Sequence, residues 1–285
     1  MLLYREFENQ EQIDAQYNAS RTVADPAAEL KHYVDQSQRA RELLRCTLDI
    51  AFGPTLAETL DIFPAEQANA PVFIFFHGGY WRALSSKEFS AVALGLVPLG
   101  FTTVVVNYAL CPAVSIDEIT RQARAAVAWV LRHISAYGGD AARVSIGGHS
   151  AGAHLAAMCL STRWAADYGL PADPIKAALL VSGLYDLEPL RHSYLQPQIQ
   201  LDDGIIRRNS PAFVVQPCST PIWATWGERE TQEFARQASV YLAAWRAAGN
   251  SGSLSALPGA HHFSAIHGFE DKQSALCQWL RGALN

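Results

Sequence analysis

Gly148-His149-Ser150-Ala151-Gly152 decides how this chain is read. The strand-like run Ala142-Arg143-Val144-Ser145-Ile146 precedes it, and the helix-like run Ala153-His154-Leu155-Ala156-Ala157-Met158 follows. A Gly-x-Ser-x-Gly pentapeptide between strand and helix forms a sharp turn that lifts the serine hydroxyl clear of the sheet. The same turn aims the following N–H groups at whatever the hydroxyl attacks, and small flanking residues let neighbouring backbone pass close. In an ordinary loop these five residues would carry little meaning. The strand–turn–helix context makes Ser150 a candidate nucleophile.

A serine hydroxyl attacks well only when a base takes its proton, and the base works best when an acid orients it. With the serine first in the chain, acid and histidine are expected in that order after late strands. Glu228-Arg229-Glu230 follows the apolar run Ile222 to Thr225, and Glu230 falls where that strand gives way to a helix holding Phe234. Glu230 is therefore the expected acid, with Glu228 as the alternative. Beyond Leu254-Ser255-Ala256-Leu257 comes Pro258-Gly259-Ala260-His261-His262-Phe263, so either His261 or His262 is placed to be the base. Acyl transfer also needs N–H donors for the developing oxyanion. His77-Gly78-Gly79-Tyr80-Trp81 directly follows the apolar run Val72 to Phe76. Its glycines permit unusual backbone angles and close approach of substrate, so Gly78, Gly79 and Ala151 are the expected donors.

The surrounding pattern is α/β. Solid apolar runs at Val72 to Phe76, Thr102 to Val106, Arg143 to Ile146, Ala177 to Val181 and Ile222 to Thr225 have strand length. Strands apolar on both faces belong in a mostly parallel sheet covered by helices on both sides. Cys46 to Ile50 and Glu58 to Phe63 alternate apolar and polar, which predicts an antiparallel edge pair. Ile119, Ala123, Val127, Val130 and Ile134 form one helical stripe, with a glycine stop expected at Gly138 or Gly139. Glu233 to Ala247 and Ser274 to Leu280 read as later helices. This alternation predicts one doubly wound domain over residues 1–285. Residues 1–45 are polar and weakly helical and read as an N-terminal arm; 185–215 reads as a small cap-like insertion.

Composition sets the class. The chain has 285 residues, 49% hydrophobic and 17% charged, as expected of a folded soluble protein with a large core. With 27 acidic and 22 basic residues the net charge is −5, and no basic run marks a nucleic-acid or membrane surface. No apolar stretch is long enough to span a bilayer, and the first residues lack a signal peptide's pattern. Five scattered cysteines read as buried, reduced thiols of a cytoplasmic protein. The expected partner is a small-molecule substrate, with no nucleic acid, no membrane and no cofactor; a homodimer is left open.

With these residues assembled, the chain resembles the α/β-hydrolase superfamily, and within it the kynurenine formamidase (arylformamidase) group and its bacterial esterase-like relatives. The motifs that carry the resemblance are His77-Gly78-Gly79-Tyr80-Trp81, Gly148 to Gly152, Ser182 to Leu190, Asn209-Ser210-Pro211, Glu233-Phe234-x-Arg236-Gln237 and Gln16-Tyr17-Asn18, and they span essentially the whole chain. The resemblance implies the α/β-hydrolase fold and hydrolysis of an aryl formamide to formate and an aryl amine. It also implies His262 as the base, since the group tends to have Asp-His-Phe where this chain has His261-His262-Phe263. The group commonly has an aspartate where Glu230 stands; a carboxylate of either length serves in such triads. Relatives with these motifs also cleave small carboxylic esters, which is the alternative activity. A binding protein that has lost catalysis is a third reading, disfavoured because nucleophile, acid, base and oxyanion glycines all stand in order.

Tyr80, Trp81, Tyr185 and His192 are the expected substrate-binding residues, with Tyr194 beside them. His77 reads as a loop anchor, and His149 and His154, five apart, as satisfied structural histidines. His261, His262 and His267 cluster, but the sequence near them does not supply a ligand set, so no metal is expected.

Overall fold

A computed structural model describes residues 2–284. Its centre is an eight-stranded sheet: β1 (Thr47–Ala51), β2 (Thr59–Phe63), β3 (Ala70–Phe76), β4 (Thr102–Val106), β5 (Gly139–His149), β6 (Ile175–Val181), β7 (Ile222–Gly227) and β8 (Gly252–Leu257). The spatial order is β1-β2-β4-β3-β5-β6-β7-β8. β1 and β2 pair antiparallel, β2 joins β4 antiparallel, and all remaining pairs are parallel. The α/β-hydrolase architecture expected from the sequence is the one observed.

Strand periodicity explains the two cores. Side chains alternate along β3, so Ile74 and Phe76 enter one core while Phe73 and Phe75 enter the other. The first core takes the helices Ile116–His133, Ala151–Leu160 and Gln232–Ala247 through residues such as Ile119, Val127, Leu155 and Tyr241. The second takes Pro26–Leu43 and Ala275–Ala283 through Tyr33, Leu276 and Leu280. Fully burying each of these large apolar side chains stabilises the fold by about 1.5–3 kcal/mol. Helix Ile116–His133 starts on the Ser115 side-chain cap, and the 3₁₀ turn that follows stops at Gly138, whose φ of 78° suits glycine.

Residues 2–45 are more ordered than the composition of the expected arm predicts. Asn9 caps helix Gln10–Tyr17, and Asp25 with Pro26 in the first turn starts helix Pro26–Leu43. Few residues anchor them: Ile13 and Tyr17 on the first, Tyr33, Ser37 and Ala40 on the second. Such sparse apolar anchoring looks like a polar arm in the sequence. The cysteines are all free, but Cys46 and Cys218 are only half-buried, against the expectation of five buried thiols. Among the described residues, no helix is long and apolar enough to cross a membrane.

One buried polar network ties the arm, the segment after β6 and helix Gln232–Ala247 together. Gln237 accepts from the N–H groups of Tyr185 and Asp186, each at 2.8 Å, and donates to the Asp186 carbonyl and the Tyr17 hydroxyl. Tyr17 donates to Glu233, which Arg236 holds with two further hydrogen bonds. The Glu-Phe-x-Arg-Gln and Gln-Tyr-Asn elements therefore act in this fold as fasteners between distant segments. Gln237→Leu removes four hydrogen bonds and leaves two buried N–H groups unsatisfied. It is expected to lower the unfolding free energy by about 2–4 kcal/mol, read by urea denaturation; an unchanged midpoint would contradict this role.

Candidate active site

The site residues leave the sheet at one edge. β3 and β5 are adjacent and parallel, with Phe76 paired to Gly148, so the loop after β3 lies beside the turn after β5. β6, β7 and β8 follow in order, and the loops after β7 and β8 carry Glu230 and His262. The sheet delivers five loops to one rim, where ligands of open α/β sheets are expected.

Ser150 sits at φ 57°, ψ −118°, a conformation that a side-chain-bearing residue seldom adopts. Its N–H donates to the Val181 carbonyl at 2.8 Å, which fixes the turn against β6. A Cβ on Gly152 would lie 1.9 Å from the Phe76 carbonyl oxygen, and one on Gly148 would lie 2.3 Å from the Gly152 carbonyl carbon. Both glycines are therefore required by close backbone packing, as the pentapeptide predicts.

The loop after β3 presses on this turn: a Cβ on Gly78 would come within 3.4 Å of the Ser150 Cβ. Gly79 has φ 107°, and a Cβ there would meet the Ala83 carbonyl oxygen at 2.1 Å. Tyr80 and Trp81 also hold positive φ, at 50° and 57°. Among the described residues, the N–H groups of Gly78, Gly79 and Ala151 donate to no protein acceptor. Of these three expected oxyanion donors, Gly79 lines the cleft shared by Ser150 and His262, whereas Gly78 and Ala151 lie behind its wall residues. His77 steadies the loop: its Nδ1 lies 2.7 Å from the Gly78 carbonyl and its ring stacks on Tyr108 at 4.0 Å. Burial pushes His77 down to about 4, so its ring is neutral.

Glu230 and His262 meet directly, with carboxylate Oε2 at 2.8 Å from Nδ1. The other oxygen of Glu230 accepts from the Gly227 N–H at 2.7 Å and from the Ser182 hydroxyl. The side chains are nearly sealed, 1% exposed for Glu230 and 7% for His262. A carboxylate so held fixes the Nδ1–H tautomer of His262 and leaves Nε2 as the basic nitrogen. Glu228 takes a different part, accepting the Gly259 N–H at 2.8 Å on the loop that carries the histidines. His261 turns away to Glu29, at 3.3 Å. His149, pushed well below its ordinary value by burial and by the neighbouring His262 ring, has its Nε2 2.9 Å from the His262 carbonyl. The Phe234 ring lies 4.7 Å from the His262 ring, centroid to centroid.

Ser150 and His262 line one cleft of about 240 Å³. Gly79 and Tyr80 are in its wall, together with Tyr33, Phe89, Tyr194 and Phe263. Tyr80 reaches the cleft as expected, its hydroxyl donating to the Tyr17 carbonyl. Trp81, Tyr185 and His192 do not line it. Trp81 is fully buried and donates its indole N–H to His154 Nδ1 at 3.2 Å. Tyr185 is buried against Tyr241, with rings 4.5 Å apart. His192 packs beside Tyr4 and Glu188. The expected cap at 185–215 gives the cleft Tyr194, whereas the arm gives Ala19, Ser20, Leu30 and Tyr33. The sequence carried no signal for these arm residues; for Phe263, adjacency to His262 was one. Ser182 was likewise hidden, since only the fold brings it to Glu230.

A profile described as the α/β-hydrolase fold matches residues 73–265. The chain is 32% identical over 285 residues to a kynurenine formamidase of Danio rerio, with 95% of each chain covered. It is also 32% identical over 243 residues to the esterase LipQ of Mycobacterium tuberculosis, covering 76% of this chain and 56% of that one. Among solved structures, a Silicibacter protein provisionally described as a thioesterase superposes with a TM-score of 0.83 at 26% identity, covering 95% of this chain and 99% of that one.

His154 yields a pH prediction. Its Nε2 lies 2.7 Å from the Asn209 carbonyl and its Nδ1 accepts from Trp81, so the neutral ring is fully satisfied. Burial lowers its pKa to about 4. An unfolded histidine titrates near 6.5, so the unfolded chain binds more protons between about 6.5 and 4 and stability falls as pH falls through that window. The contribution lost is of order 3 kcal/mol. His154→Gln keeps a donor and an acceptor but does not titrate. Its urea midpoint should fall less steeply between pH 7 and pH 4 than that of the wild type; parallel profiles would contradict the assignment.

Proposed function

The chain belongs to the α/β-hydrolase superfamily, in the group that holds the kynurenine formamidases and their esterase relatives, and from that footing we propose that this hydrolase uses Ser150 to cleave small aryl formamides such as N-formylkynurenine. The Glu230–His262 pair, at 2.8 Å beside a strained serine turn, is the observation that carries this reading. His262 Nε2 takes the proton of the Ser150 hydroxyl as the oxygen attacks the formyl carbon. Glu230 holds Nδ1–H and stabilises the imidazolium that forms. The N–H groups of Gly78, Gly79 and Ala151 receive the oxyanion. His262 then gives its proton to the leaving aryl amine, and water, activated by the same nitrogen, releases formate from the formyl-serine.

The aromatic rings of Tyr33, Tyr80, Phe89, Tyr194 and Phe263 around a cleft of about 240 Å³ support a flat aromatic leaving group and a very small acyl group. A short carboxylic ester uses the same machinery, and the similarity to an esterase favours that as the second reading.

Ser150→Ala should lower kcat/KM by about 10⁴-fold or more with the fold intact, and Glu230→Ala by about 10⁴-fold. Retained activity in Ser150→Ala would overturn the nucleophile. Assays on N-formylkynurenine beside short p-nitrophenyl esters separate the two substrate readings. Formamide turnover supports the first; rapid ester turnover with none on the formamide would establish the second.

A further inference from the structure

Behind the loop that carries His262 lies a second group of titratable side chains that the hydrolytic reaction does not use. Helix Pro26–Leu43 contributes Glu29 and His32, three residues apart; the 3₁₀ segment Ser264–Glu270 contributes His267 and Glu270, also three apart. Residues at this spacing share a helix face. His32 Nε2 lies 2.7 Å from Glu270 Oε1, and His267 Nε2 lies 3.7 Å from Glu29 Oε2. The His32 and His267 rings are 4.1 Å apart at 33°. One ligand atom from each of His32, His267 and Glu270 falls within 4.8 Å of the others. His267 Nε2 is covered and has no hydrogen-bond partner.

We propose that His32, His267, Glu270 and Glu29 form a binding site for a divalent transition-metal ion, of which Zn²⁺ is the best match. The donor set is two imidazoles and two carboxylates, which suits a borderline cation and balances its charge. Tetrahedral zinc with bonds near 2.0–2.2 Å needs ligand atoms about 3.4 Å apart. The ligand atoms of His32, His267 and Glu270, all within 4.8 Å of one another, would close by up to roughly 1.4 Å through side-chain rotation. The four side chains lie near the surface, between 21% and 34% exposed.

Position gives the site a consequence. The same helix brings Leu30 and Tyr33 to the cleft wall, and the Tyr33 hydroxyl donates to the Phe263 carbonyl at 2.6 Å, one residue from His262. A cation held between the helix and the 3₁₀ segment clamps the arm onto the loop that presents His262. It acts as a structural tie and takes no part in the bond-breaking step.

The test is calorimetric titration of Zn²⁺ into the chelator-stripped full-length protein, with thermal unfolding as a second readout. The expected result is saturable one-to-one binding and a higher Tm with zinc. His32→Ala/His267→Ala should weaken binding by at least the roughly 10- to 100-fold that losing a supporting partner alone costs, and should abolish the zinc-dependent rise in Tm. His262→Ala should retain both. If the double variant does not fold, Glu29→Gln/Glu270→Gln, which preserves size and hydrogen-bonding capacity, makes the same comparison. No saturable binding, binding unchanged in the folded double variant, or binding lost in His262→Ala instead would each overturn the proposal.

Discussion

Ser150 occupies a backbone conformation of the kind that costs about 1–3 kcal/mol, and it persists only because its surroundings leave no other path. Two contacts impose it. Gly152 packs so tightly under the Phe76 carbonyl that no side chain fits, and the Ser150 N–H is bound to Val181 on the next strand. β5 is fixed on both sides, by β3 and by β6, so the turn after it has no freedom to relax. The hydroxyl stands at the rim because the sheet forces it there. The loop after β3 is shaped by the same requirement: its residues 79–81 all hold positive φ, next to the turn they serve.

Around this strained turn three buried histidines are neutral. His77, His149 and His154 are all pushed below the ordinary histidine value, with burial the leading cause. Each has one ring nitrogen within hydrogen-bond reach of a backbone carbonyl that belongs to a loop needing a fixed course. Buried imidazoles so engaged rigidify without adding charge near the candidate base. Glu230 is the exception, and its charge is shared among the Gly227 N–H, the Ser182 hydroxyl and His262. An ionised acid in so closed a place needs that many partners.

Much of this was written in the sequence where the physics is local. A strand buried on both faces must be apolar throughout, so β3, β4 and β6 announced themselves, and the pentapeptide fixed the turn between β5 and its helix. Neighbour order was not legible: periodicity does not say that β4 lies outside β3 or that β2 pairs with β4. An aromatic residue in a glycine-bearing loop reads the same whether it lines a cleft, as Tyr80 does, or enters the core, as Trp81 does. The arm hid its role because two polar helices need only a few buried residues to dock. The histidine–carboxylate group behind the cleft was hidden for the same reason, since His32 and Glu270 are 238 residues apart and only the folded arm joins them.

The central claim is that Ser150 is made nucleophilic by the Glu230-held His262. Reaction with a fluorophosphonate, followed by intact-mass measurement and peptide mapping, tests it without reference to any natural substrate. The account predicts a single phosphonyl adduct on the peptide holding Ser150, formed far more slowly in His262→Ala. No adduct, or one on another serine with Ser150 unmodified, would contradict it.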